Sequence, residues 1–154
     1  MESVEIRSAR PDDAPGLAAL LAELGFPAPA KVIAERLDAM LSSNEVVLIA
    51  LRDSKPLGVL TVHITPVLHR PTPVGRLTAL VVTESVRGQG IGRALVETGE
   101  EMLAARGCEL VEVTSNHRLI DAHAFYERLG YEATSLRFKK TLPRMASQDE
   151  LFVK

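Results

Sequence analysis

The stretch VRGQGIGRAL (86–95) places glycine at three alternate positions between two arginines. It follows an apolar run, RLTALVV (76–82), that is typical of a buried strand, and the residues after it repeat apolar side chains at helical spacing. Each glycine costs extra conformational entropy on folding, so this much glycine indicates a backbone that must turn tightly or approach a ligand. The stretch therefore predicts a strand, a tight turn and the start of a helix.

A helix start of this kind can bind an anion, because its first backbone N–H groups have no partner within the helix and the helix dipole adds to their field. Arg87 and Arg93 flank the turn, where their guanidinium groups can pair with phosphate oxygens. A nucleoside triphosphate loop requires a Gly-Lys pair, and the chain has none. A dinucleotide-binding turn requires glycine or alanine where this chain has Arg93. Both of these phosphate sites are therefore disfavoured.

Length and composition set limits on the rest of the chain. Its 154 residues predict one domain, and 46% hydrophobic with 25% charged residues is typical of a globular protein. The formal net charge of −2 argues against nucleic acid as the main partner. No apolar run approaches the roughly 20 residues that span a bilayer, and the N-terminus lacks a signal-peptide core. We therefore expect a cytoplasmic protein with no membrane partner.

The single cysteine, Cys108, excludes a disulfide framework within one chain and is consistent with a reducing compartment. No cluster of histidine and cysteine has the spacing of a structural zinc site, so we expect no metal.

Hydrophobic periodicity predicts the order β-α-α-β-β-β-α-β-α-β. Antiparallel hairpins come first and a parallel crossover later, which indicates a mixed sheet in an α/β fold. Pro143 begins a polar stretch, so we expect a domain over 1–142 and a polar C-terminal tail over 143–154. The predicted strands are 4–8, 46–51, 57–64, 76–82, 108–114 and one or two between 131 and 142; the predicted helices are 11–24, one after Pro29, 90–106 and 119–129.

The turn also fits the pattern [QR]-x-x-G-x-[GA] over residues 87–92, and it thereby resembles the coenzyme A pyrophosphate turn of the Gcn5-related N-acetyltransferase (GNAT) family. The stretch DAHAFYERLGY (121–131) resembles the family signature A-x-x-F-Y-x-x-x-G-[FY]. The order of elements is that of the family, and the resemblance covers essentially residues 4–142. It implies a mixed central sheet of about six to seven strands with splayed central strands, flanked by about four helices.

The resemblance implies acetyl-CoA as the co-substrate. Two splayed strands, here 76–82 and 108–114, would leave backbone groups of Leu80 and Val82 free to pair with the pantetheine arm. The turn would hold the pyrophosphate, and Asn116 would lie beside the arm. The residues that the resemblance implies for cofactor binding are Leu80, Val81, Val82, Arg87, Gly88, Gln89, Gly90, Ile91, Gly92, Arg93, Asn116, Ala122 and Phe125.

The resemblance also places Tyr126 near the thioester sulfur, where a phenol can protonate the departing thiolate. A core tyrosine with a satisfied hydroxyl is the alternative. The implied reaction is direct attack of a neutral amine on the thioester carbonyl, whose oxygen the backbone N–H of Val81 or Val82 would polarise. A covalent route through Cys108 is disfavoured, because this residue begins its strand at the end away from the site.

The base that removes the proton of the amine stays open between Glu84, His63 and His69. Glu84 follows the strand that precedes the turn, and His63 lies on the strand expected beside it.

Within the family, residues 58–82 and the stretch SLRFKKTL (135–142) resemble aminoalkylphosphonate N-acetyltransferases. That group carries acidic residues where this chain has Arg76 and Ala79, which implies another base or a different, acidic substrate. The candidate contacts of an anionic acceptor are His69, Arg70, Arg76 and Arg137.

Together these features predict an acetyl-CoA-dependent N-acetyltransferase that acts on a small-molecule amine, such as an aminophosphonate or an amino acid. The alternatives are acetylation of a protein or peptide N-terminus and a non-catalytic CoA-binding regulatory module. The resemblance also implies a homodimer, because many relatives pair through their late strands.

Overall fold

The computed structural model describes residues 3–43 and 45–145, which form one sheet with helices on both faces. The helices α1 to α4 are Ala14–Leu24, Ala30–Leu41, Ile91–Ala105 and Ile120–Arg128. The strands β1 to β5 are Glu5–Ser8, Glu45–Arg52, Lys55–Thr65, Val74–Val82 and Leu110–Val113. They lie in the spatial order β1-β2-β3-β4-β5, with the first four antiparallel and β5 parallel to β4.

The sheet has two buried faces, which explains why β2 is continuously apolar rather than alternating. Leu48 and its face pack with α3 through Leu95, whereas Ile49 and the opposite face pack with α1 and α2 through Leu17 and Ile33. Among the described residues, no helix combines the length and the apolar character that crossing a bilayer requires. The predicted α/β fold with a mixed sheet and four helices is confirmed.

The strand count is lower than predicted. In the described part of the chain the sheet has five strands, and residues 131–142, predicted as the last strand or two, form none. A strand requires a partner for its backbone, and residues 132–145 are all exposed instead. Residues 143–145 of the predicted tail are exposed as well, and its residues 146–154 lie outside the described part.

The divergence of β4 from β5 creates the space for a site. The two strands pair only where Val74–Leu77 faces Leu110–Val113, and β4 then continues to Val82 without β5 beside it. A bulge at Thr78 shifts the pairing of β4 with β3, so that Thr61 faces Ala79 and Val62 faces Leu77. The Thr78 hydroxyl donates to the carbonyl of Thr61 at 3.1 Å. The predicted splay of strands 76–82 and 108–114 is therefore confirmed, although β5 lies at the edge of the described sheet rather than at its centre.

Candidate functional site

The glycine turn presents unpaired backbone amides at the start of α3. Gly88 and Gly90 have φ values of +79° and +82°, in the left-handed region that favours glycine. Gly90 caps α3, and the first backbone bond of the helix runs from the Ala94 amide to the Gly90 carbonyl at 3.0 Å. The amides of residues 91–93 consequently have no acceptor within the helix. The turn has the geometry that binds phosphate groups.

Both arginines that flank the turn are held by neighbouring groups. Arg87 Nε donates to the carbonyl of Val82 at 2.9 Å, and Arg93 Nε donates to Glu97 at 2.8 Å. The first bond ties the turn to the end of β4. The Val82 carbonyl already accepts this bond, so the predicted strand-like pairing with a pantetheine arm would use its second lone pair or other backbone groups of β4.

A cleft of about 730 Å³ opens where β4, the glycine turn and α4 meet, a volume typical of small-molecule sites. Three cationic side chains, Arg87, Arg93 and Arg128, line it together with the acids Glu23 and Asp121. The predicted cofactor residues that line this cleft are Leu80, Val81, Val82, Arg87, Gly88, Gly90, Ile91, Gly92, Arg93, Ala122 and Phe125.

Two predicted cofactor residues, Gln89 and Asn116, do not line this cleft. The Gln89 side chain accepts a hydrogen bond from Arg52 at 3.3 Å. Asn116 accepts one from the Arg118 amide through its Oδ1 at 3.0 Å, and its carbonyl accepts one from His123 Nε2 at 2.9 Å. Asn116 therefore shapes the loop that leads into α4.

The two tyrosines of the chain have different surroundings. Tyr131 donates its hydroxyl to Glu100 at 3.0 Å, whereas the Tyr126 hydroxyl makes no hydrogen bond with the residues that the structure describes. The Tyr126 ring packs edge to face on Phe125, with 5.1 Å between ring centroids. Burial raises the pKa of Tyr126, so the phenol stays protonated at neutral pH. Tyr131 is thus the tyrosine with a satisfied hydroxyl, and Tyr126 keeps a proton that it can donate.

The candidate bases lie in different places. Glu84 begins a short 3-10 turn and is exposed. Its side chain lines neither the cleft nor a second opening, which lies at the end of β5. His69 and the neighbouring Arg70 are also exposed, in the loop between β3 and β4, and they line neither site. His63 lies on β3 and likewise lines neither opening, and its Nδ1 lies against the carboxylate of Glu45.

His63 belongs to a charged row that crosses four strands. In register, Glu45 faces His63, His63 faces Arg76, and Arg76 faces Glu112. Residues opposite one another on neighbouring strands share a face of the sheet, so these four side chains lie side by side. Arg76 also donates to the Thr114 hydroxyl at 3.4 Å. The row places one histidine and one arginine beside the point where β4 and β5 separate.

A second opening, which we call the edge groove, has a volume of about 550 Å³ and lies between residues 112–115 at the end of β5 and residues 132–138. Two of the four predicted acceptor contacts, Arg76 and Arg137, line it, as does Tyr126. The other two, His69 and Arg70, are not brought to this groove.

Glu23 was missed by the sequence analysis. Its carboxylate, at the end of α1, accepts hydrogen bonds from the Thr83 hydroxyl at 2.8 Å and the Glu84 amide at 3.1 Å. These bonds, led by that of the Glu84 amide, lower the pKa of Glu23. An acid in the last turn of a helix is repelled by the negative end of the helix dipole. Its presence in the sequence therefore already indicates that a group elsewhere in the chain stabilises the carboxylate.

Cys108 is buried before β5, and burial raises the pKa of its thiol. Because the thiolate is the nucleophile, this environment disfavours covalent catalysis.

Comparison with known proteins links this architecture to acetyl transfer. Residues 16–131 match the model of the acetyltransferase (GNAT) family. The chain is 37% identical over 103 residues to the aminoalkylphosphonate N-acetyltransferase of Salmonella typhimurium, with 67% of each chain covered.

Two solved structures are similar in fold. An acetyltransferase of Trypanosoma brucei has a TM-score of 0.81 and 26% identity, with 91% of this chain and 100% of that chain covered. An aminoglycoside N-acetyltransferase in complex with CoA has a TM-score of 0.82 and 18% identity, with 94% and 97% covered.

The role of the glycine turn in binding the pyrophosphate can be tested with two variants of Gly90 that have side chains of equal size and differ in charge. We expect Gly90→Asp to abolish CoA binding, because a carboxylate at the turn repels the pyrophosphate. Gly90→Asn is the matched control: asparagine tolerates the left-handed region and carries no charge, so it should retain weakened binding. Thermal shift and calorimetric titration with CoA measure both variants. Equal binding by the aspartate variant and wild type would show that the pyrophosphate lies elsewhere.

Proposed function

We propose that this chain, which belongs to the acetyltransferase (GNAT) family and is an N-acetyltransferase, transfers the acetyl group of acetyl-CoA directly to the amine of a small anionic molecule. The observation that carries this proposal is the cleft, which runs from the unpaired amides of the glycine turn along the free side of β4 to α4. A long ligand with a diphosphate at one end fits this arrangement. For the assembly, we propose a homodimer.

The turn supports binding of the diphosphate through backbone N–H groups, with positive charge from Arg87, Arg93 and Arg128 around it. Unpaired backbone groups of β4 would hold the pantetheine arm, and Phe125 would pack against it. Bound acetyl-CoA would supply the acetyl group as a thioester. The amide of Val82 would donate to the thioester oxygen, where negative charge develops during attack, whereas the Val81 amide faces β3 in register with Val59.

Two protons must move in this reaction, and different residues would move them. His63 would take the proton of the attacking amine. We favour it over Glu84 and His69 because it lies directly opposite Arg76, the position at which the resembled group carries an acid. The Tyr126 phenol would donate a proton to the departing thiolate, since burial keeps it protonated and no described side chain competes for its hydroxyl.

Within the charged row, Arg76 is the residue that favours an acceptor with an anionic end. Arg76 supplies a fixed positive charge beside His63, which suits a phosphonate or carboxylate and repels a polycation. The similar Salmonella protein is named for aminoalkylphosphonates, which are amines of this kind. We therefore propose small amines with a phosphonate or carboxylate group as the substrate class.

A panel of acceptors tests the proposed function. Thiol release from acetyl-CoA should be fastest with aminoalkylphosphonates or amino acids, and slow with polyamines, aminoglycosides and peptides. Arg76→Gln should raise the KM of the anionic acceptors by roughly tenfold, because it removes one charge-assisted contact. Preference for a polyamine would contradict the proposed substrate class. Thermal stabilisation by CoA without thiol release from any acceptor would instead indicate a regulatory module.

The proposed role of Tyr126 as general acid is tested by removing its hydroxyl. Tyr126→Phe should lower kcat by about a hundredfold or more while leaving CoA affinity nearly unchanged. Because the acid form is active and burial raises the pKa, wild-type activity should not fall through ionisation of Tyr126 below about pH 10. Tyr131→Phe, which loses the bond to Glu100, is the matched control and should retain kcat. An unchanged kcat in Tyr126→Phe would remove this assignment.

The proposed role of His63 as general base is tested by chemical rescue. His63→Ala should lower kcat by about a hundredfold, and added imidazole should restore part of the loss because it replaces the missing proton acceptor. Glu84→Gln and His69→Gln are the controls for the other two candidates and should retain wild-type rates. Absence of rescue together with a slow Glu84→Gln variant would transfer the role to Glu84.

A further inference from the structure

The imidazole ring of His63 has one closed side and one open side. Its Nδ1 atom is buried, whereas 38% of the side chain is exposed. The exposed part therefore consists of the remaining atoms of the side chain, and of these only Nε2 can accept a proton. No residue that the structure describes forms a hydrogen bond with Nε2. One nitrogen of the ring is thus available to another molecule, and the other nitrogen is not.

The closed nitrogen lies against a carboxylate. Glu45 contacts Nδ1 of His63, and no other group in the described part of the chain offers that nitrogen a hydrogen-bond partner. Glu45 begins β2 and faces His63 in the antiparallel register, with 20% of its side chain exposed. Side chains that face each other across two strands have Cβ atoms about 5 Å apart. The sheet itself therefore brings the carboxylate and the imidazole together.

The chemistry of this contact decides where the proton of the ring lies. An ionised carboxylate has lone pairs and no proton, so it can only accept hydrogen bonds. A bare lone pair on Nδ1 would repel it and would leave a buried polar atom unpaired, which is costly. The contact is therefore favourable when Nδ1 carries the proton. In a neutral imidazole this places the free lone pair on Nε2, the open nitrogen.

The other neighbours of His63 add one charge. Arg76 faces the ring from β4, whereas Thr61 and Thr65, two residues away on the same face of β3, are uncharged. A ring that has taken up a second proton is an imidazolium and is repelled by Arg76. The negative charge of Glu45 offsets this repulsion from the opposite side. Glu45 thus favours both the neutral tautomer and the charged form that follows it.

We propose that Glu45 is a positioning residue, which holds His63 with its proton on Nδ1 and so presents Nε2 as the acceptor of the amine proton. The tautomer follows from the geometry alone, whereas its use in catalysis rests on the proposed function. As the amine nitrogen bonds to the acetyl carbon, its N–H bond breaks and the proton passes to Nε2. The imidazolium then gives this proton to water, and Glu45 stays ionised throughout.

Nitrogen-15 NMR of the full chain identifies the tautomer. The chain has four histidines, and the signals lost in His63→Gln are those of His63. At about pH 9, above the ordinary titration range of histidine, the wild-type ring should carry its proton on Nδ1. In Glu45→Leu, which removes the acceptor, most molecules should carry it on Nε2. Glu35→Leu, the same substitution at an exposed acid of α2, is the matched control and should leave the tautomer unchanged.

A second variant keeps the shape of the side chain, in case leucine at position 45 disturbs folding. The amide of Glu45→Gln can donate as well as accept, so both tautomers should be populated. A wild-type ring with its proton on Nε2 overturns the proposal, as does a tautomer that changes in neither variant of Glu45.

Steady-state kinetics test whether Glu45 acts through His63. Glu45→Leu should lower kcat by about tenfold or more and leave the KM of acetyl-CoA nearly unchanged, because the proton acceptor is then wrongly oriented. In a His63→Ala background the same substitution should cause no further loss, since the group it orients is gone. A purely structural role would slow both backgrounds by the same factor, and that result overturns the positioning role.

The two measurements also separate this role from the proposed function. Neither Glu45 nor His63 lines the cleft, so CoA should stabilise Glu45→Leu as it does the wild type. A wild-type ring with its proton on Nδ1, in an enzyme that His63→Ala does not slow, would contradict His63 as the base. The same result would support the tautomer that we assign to the contact with Glu45.

Discussion

The separation of β4 from β5 is the constraint on which the site depends. Parallel pairing stops at Leu77 and Val113, and the bulge at Thr78 bends β4 at this point. Backbone groups that would otherwise pair within the sheet are then left for another partner. A sheet that opens between its last two described strands thus leaves backbone groups for a ligand without any special side chain, and the glycine turn follows directly at the end of the freed strand.

Contacts from distant parts of the chain fix the end of this strand. Glu23 of α1 holds Thr83 and Glu84, and Arg87 holds the Val82 carbonyl from the other side. Asn116 gives the entry to α4 a fixed shape through its own bonds. Because these groups are already placed in the free protein, less conformational freedom is lost on binding. The polar side chains around the cleft therefore act largely by holding the backbone in position.

The parts that the sequence predicts correctly are those with local causes. Glycines 88 and 90 take left-handed φ values for reasons that act within a few residues, and the strand and helix beside them show clear periodicity. The orientation of Gln89 depends instead on Arg52, which is remote in sequence, so no local pattern predicts it. The prediction of a strand between residues 131 and 142 is wrong for a related reason. The alternation in 135–142 is real, but a strand also needs its backbone groups paired with a neighbour, and a sequence does not display whether that pairing forms.

On the proposed assignment, the row Glu45–His63–Arg76–Glu112 would link the choice of substrate to the removal of its proton. A cation at position 76 weakens the binding of an ammonium group beside it, and so favours the neutral amine that attacks a thioester. The same cation attracts an anionic group at the other end of the acceptor. The resembled aminoalkylphosphonate acetyltransferases carry an acid at the position of Arg76, so this chain has the opposite charge there. His63 lies directly opposite Arg76 on the neighbouring strand. On the proposed assignment, a change of base and a preference for anionic amines therefore follow from one residue, Arg76, because it borders both the proton acceptor and the acceptor molecule.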